Sequence, residues 1–85
     1  MIEFKVEKCR TKATYSAKPK QQLKMDLNKI KSKFEVVLET PVLLVIKAQG
    51  VEAIVHGYGE ILFKNCKDIE LMTKIAEEIY GSGAR

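Results

Sequence analysis

Four runs of strand-forming residues follow one another between residues 34 and 65, each closed by a turn signal. Residues 34–39 (FEVVLE) end at Pro41, and residues 42–47 end at Ala48-Gln49-Gly50. Residues 51–56 and 60–65 are joined by Gly57-Tyr58-Gly59, where glycines suit a tight hairpin that needs positive φ. The five consecutive apolar residues VLLVI (42–46) put aliphatic side chains on both faces of their strand. This succession commits the middle of the chain to a mostly antiparallel sheet.

Periodicity supplies the remaining elements. Ile2, Phe4 and Val6 alternate with Glu3, Lys5 and Glu7, which describes a half-buried first strand. Residues 10–20 are poor in apolar side chains and read as a loop or a loose extension of that strand. Leu23, Leu27, Ile30 and Phe34 recur at helical spacing, so a helix is expected within residues 21–33, opened by Pro19 or by Asp26. Asp68 suits an N-cap, and Met72, Ile75, Ala76 and Ile79 then form one buried helix face. Gly81 is expected to end this helix. The predicted architecture is α+β, in the order β-α-β-β-β-β-α, with two helices on one face of the sheet. It forms a single domain over residues 1–80, with a flexible tail over 81–85.

Alternation also assigns the uncovered face. If Ile61 and Phe63 point to the helices, Glu60, Leu62 and Lys64 point away, as do Glu52, Ile54 and His56, and Glu3, Lys5 and Glu7. Those nine residues include four acids and two lysines. Leu43, Val45, Ile54, His56, Leu62 and Lys64 are therefore candidate interface residues, for a protein partner or a second copy of the chain.

Charge points in another direction. Residues 1–33 hold ten Lys/Arg against three acids, a balance of +7, whereas residues 34–85 hold five against eight, a balance of −3. Lys8, Arg10, Lys12, Lys18, Lys20, Lys24, Lys29, Lys31 and Lys33 are the candidate contacts to nucleic acid or to an acidic protein. A solvated lysine face is the alternative.

Catalytic chemistry is weakly represented. His56, Tyr58 and Glu60 would share a face on a continuous strand, but a hairpin at 57–59 places His56 and Glu60 across a ladder as a cross-strand pair. Gly57-Tyr58-Gly59 lacks the longer glycine pattern and following helix of a phosphate loop. Cys9 and Cys66 are far apart and suit unpaired buried thiols, or a disulfide in a hyperthermophilic host. No catalytic set, metal or cofactor is expected. No apolar run approaches the roughly 18 residues of a membrane span, and MIEFKVEK does not read as a signal peptide, so a cytoplasmic protein is expected.

The stretch VEAIVHGYGEILFKNCKDIELMTKIAEEIY, together with MDLNKI at residues 25–30 and Thr40-Pro41, resembles one repeat of the TATA-box-binding protein family. The resemblance implies that family's repeat fold. The family's archaeal and eukaryotic members carry two repeats that form a DNA-binding saddle, so a saddle here would require a dimer. The two positions where the family wedges aromatics between base steps correspond to Thr40 and His56. Neither is a large apolar wedge, which argues against kinking of DNA.

Overall fold

Burial alternates without interruption along β5 (Val51–His56): Val51, Ala53 and Val55 are inside, and Glu52, Ile54 and His56 are half-covered on the opposite face. β6 (Ile61–Lys64) repeats the pattern, with Ile61 and Phe63 fully buried. The structure, a computed structural model, describes residues 3–8, 14–21, 24–64 and 66–83. Ile2, Cys9 and Leu23 lie outside the described residues.

The described elements are β1 (Phe4–Lys8), β2 (Tyr15–Pro19), α1 (Leu27–Lys31), β3 (Glu35–Glu39), β4 (Leu43–Ala48), β5, β6 and α2 (Ile69–Gly83). Their strands form one antiparallel sheet in the order β1-β2-β6-β5-β4-β3. The α+β class, the antiparallel sheet and both helices are as the sequence predicts. One core is built from the inner residues of the strands, including Leu44, Ile46, Ala53, Val55, Ile61 and Phe63, with Ile30 of α1 and Met72, Ile75, Ala76 and Ile79 of α2. Among the described residues no helix is long and apolar enough to cross a membrane.

Two turns explain the tight connections. Gln49 (φ 52°) and Gly50 (φ 81°) form a two-residue hairpin loop with positive φ at both positions, which matches the strand twist. In the next hairpin Gly59 takes φ 113°, a region that favours glycine, while His56 N–H donates to Glu60 O at 2.9 Å.

Three features differ from the sequence expectation. Within residues 10–20, Tyr15–Pro19 forms a regular strand, β2, inserted between β1 and β6. Its apolar signal is slight because Ala17, although fully buried, contributes little side chain. Pro19 is tolerated because its missing N–H falls beyond Ala17, the last β2 residue paired with β6. Helix α1 is shorter than the predicted 21–33 window. Met25 N–H is bound to Gly57 O at 2.9 Å, and Asp26 then caps the helix by accepting from Asn28 N–H at 3.1 Å. Helix α2 passes through Gly81 and reaches Gly83, which is buried. A Cβ on Gly83 would fall on Cγ1 and Cδ1 of Ile30 and lie 3.2 Å from Asp26 O, so the absent side chain lets α2 dock on α1. Asp26 N–H donates to Gly83 O at 2.6 Å across the same contact. Ala84 and Arg85 lie outside the described residues.

Candidate interaction surface

The face of the sheet opposite the helices is built by register. Leu38 is opposite Val45, Val45 opposite Ile54, Ile54 opposite Leu62, and Leu62 opposite Ser16. The first four make an apolar row crossing four neighbouring strands at right angles to the chain. Val45 is only 9% exposed, yet it belongs to this row and not to the helix-covered core. Leu38 is 54% exposed.

Leu38 reaches this face because the β3–β4 register shifts between Val36 and Leu38. Val36 stands opposite the core residue Ile46, whereas Leu38 stands opposite Val45. An extra residue in a strand reverses the faces beyond it. Sequence reasoning missed Leu38, and the signal was present: Val36-Val37-Leu38 breaks strict alternation.

Charges flank the row in alternating sign. Glu52 lies between Lys47 and Lys64 in register. On the other side Lys18 pairs with Glu60 at 3.7 Å, and on β1 Lys5 pairs with Glu7 at 3.2 Å. The face is thus more evenly balanced than the predicted four acids and two lysines, since Lys18 and Lys47 join it. The candidate interface residues Leu43, Val45, Ile54, His56, Leu62 and Lys64 all lie on this one face.

At one end of the face the hairpin holds a small polar cluster. The His56 ring stacks on Tyr58, with centroids 5.1 Å apart and planes at 21°. Tyr58 donates its hydroxyl to Glu60 Oε1 at 3.0 Å. Partial burial, then the bond to Glu60 and its charge, raise the Tyr58 pKa above the ordinary phenol value. Beneath the hairpin, buried Tyr80 donates its hydroxyl to Gly59 O at 2.6 Å, with Ala17 O as a second, longer acceptor at 3.4 Å. Burial and the Glu60 charge push its phenol well above the usual range. The expected His56–Glu60 side-chain pair gives way to a different arrangement. The two residues meet through backbone, and the carboxylate is engaged by Tyr58 and Lys18.

Thr40 is committed to a turn. Its Oγ1 accepts from Leu43 N–H at 3.0 Å and Val42 N–H at 3.3 Å, and its hydroxyl reaches Leu43 O. Neither wedge position is therefore a protruding apolar side chain. Cys66 is half-buried, with Sγ 3.8 Å from Asp68 O. Among the described residues, no three His, Cys, Asp or Glu side chains are grouped as a metal ion would need.

The basic candidates are dispersed. Lys18 is on the open face, and Lys8 and Lys20 are at the β1 edge. Lys24, Lys29, Lys31 and Lys33 surround α1, which packs at the other end of the sheet. Lys18, Lys20 and Lys31 are held by Glu60, Glu3 and Glu39 at 3.7, 3.4 and 2.9 Å. Arg10 and Lys12 lie outside the described residues. No family model, curated protein or solved structure matches this chain at a significant level.

Proposed function

We propose that the chain is a non-enzymatic protein-interaction module that docks a partner on the open face of its sheet. The observation that supports this reading is the apolar row Leu38–Val45–Ile54–Leu62 on the face opposite the helix-covered core, with Leu38 exposed, Ile54 and Leu62 half-buried, and charges of both signs at its border. Apolar surface of this kind gains free energy on burial at about 25 cal/mol per Å². The alternating Lys–Glu border would orient the partner and disfavour wrong ones. A surface that lies along phosphates needs a basic excess instead.

The test compares wild type with Leu62→Lys and Ile54→Lys in capture from a nuclease-treated host lysate. A nuclease-resistant partner held by wild type and lost by both variants is the expected result. The proposal fails if the captured proteins are the same for all three, with the variants shown to be folded by circular dichroism.

The basic segment carries a second reading, association with nucleic acid. Lys24, Lys29 and Lys33 are exposed around α1 and make none of the ion pairs found among the described residues. The resemblance to the TATA-box-binding protein repeat adds to that reading. It requires binding that weakens steeply with salt, with a log–log slope near −0.9 per neutralised phosphate on duplex DNA. Absence of any shift in an electrophoretic titration at about 50 mM salt would exclude it.

A further inference from the structure

We propose that two copies of the chain associate through β1, pairing antiparallel about Val6 to join their sheets into one. Among the described residues the sheet has two open edges, β1 and β3. The β3 edge is interrupted by its register shift, a device that blunts strand addition. The β1 edge is regular over its five residues. Lys20 N–H donates to Glu3 O at 3.0 Å, so hydrogen-bonded pairs with β2 alternate from there and include Lys5↔Lys18 and Glu7↔Ser16. The backbone N–H and C=O groups of Phe4, Val6 and Lys8 consequently point away from β2, toward the open edge.

Charge then selects both the occupant and the register. Outward-pointing groups must face outward-pointing groups, and with at least three β1 residues of each copy overlapping that leaves three ways to set one β1 against another. One puts Lys5 opposite Lys5 of the second copy, and another puts Glu7 opposite Glu7 of the second copy. Centring on Val6 instead sets Lys5 opposite Glu7 of the second copy and Glu7 opposite its Lys5, on the open face. Opposite charges directly across strands stabilise, and like charges there destabilise. The strand FKVEK is therefore complementary to itself in a single register.

The helix-facing side supports the same pairing. Between β1 and α2 runs a groove lined by Phe4, Val6, Ile69, Thr73 and Glu77, among others, and Ile69 is 51% exposed. The Phe4 ring lies 5.1 Å from that of Tyr80, so the Phe4 end of β1 stands beside the C-terminal half of α2, near Glu77. The Val6-centred register brings Lys8 of the second copy opposite Phe4, on the side where Glu77 stands. Its aliphatic stem then covers the ring while its ammonium approaches the carboxylate.

A five-residue edge gives a small interface, so a dissociation constant on the order of 10–100 µM is expected. Sedimentation equilibrium of wild type, Lys5→Glu, Glu7→Lys and the double swap Lys5→Glu/Glu7→Lys tests the register. Each single swap should raise the dissociation constant about tenfold, since two symmetric pairs become like-charged, and the double swap should restore it. Leu62→Lys, on the docking face, should leave dimerisation unchanged. A wild type that stays monomeric at about 1 mM overturns the proposal. So does a dimer indifferent to the single swaps, or one the double swap does not restore.

Discussion

Replacing Tyr80 by Phe removes one buried oxygen and little else, so its effect can be worked from the geometry. Tyr80 is 3% exposed, and its hydroxyl makes the 2.6 Å bond to Gly59 O that ties α2 to the β5–β6 hairpin. Gly59 is itself buried, so water does not replace the lost donor easily. Losing the bond and leaving a buried carbonyl unpaired costs about 1–3 kcal/mol. At a central value near 1.5 kcal/mol, a domain of this size should melt roughly 6–12 °C lower. The measurement is thermal unfolding by circular dichroism at neutral pH and at several alkaline pH values. The alkaline arm has a definite sign. The phenol has a folded pKa raised above its ordinary 10.0. Above about pH 10 the unfolded chain therefore releases a proton that the folded chain keeps. Wild-type stability is then complete below pH 10 and declines as pH rises beyond it. Tyr80→Phe lacks this loss, so the gap between the two melting temperatures should narrow above pH 10. A melting change below about 2 °C, or a gap constant from neutral pH to pH 11, would refute the reasoning.

Gly83→Ala should destabilise by about 1–3 kcal/mol, because its Cβ meets the fully buried Ile30 side chain. Combining it with Ile30→Val should recover part of that loss, and additive urea-melt values would show that the two sites do not touch. Asp68→Ala should cost about 1 kcal/mol in the same assay, since Asp68 Oδ1 accepts from Leu71 N–H at 3.2 Å at the start of α2. Phe63→Ala empties the largest fully buried side chain in the core and should cost about 3–5 kcal/mol, enough to leave a domain this small largely unfolded by circular dichroism.

Local pattern was sufficient wherever an element announces its own periodicity. Met72, Ile75, Ala76 and Ile79 sit on the buried face that their spacing requires, and Ile61 and Phe63 point inward while Leu62 points away. The same alternation placed all six candidate interface residues on one face, because a strand's side chains change sides at every residue. It could not place Leu38, whose face depends on a register shift against β4. Nor could it find β2, whose one fully buried apolar residue, Ala17, is small and gains its burial from β1 and β6 on either side. The polar residues depended most on tertiary structure. Nine basic side chains close in sequence invite a single patch, yet the order β1-β2-β6-β5-β4-β3 separates those at β1 from those at α1. Gly81 marks a helix end by propensity, but α2 continues because Gly83 two residues later is where the backbone of one helix meets the side chain of the other. Sequence alone determined which faces are apolar, since that is a property of each segment. Only the tertiary structure decided which segments are neighbours, since that depends on residues far apart in the chain.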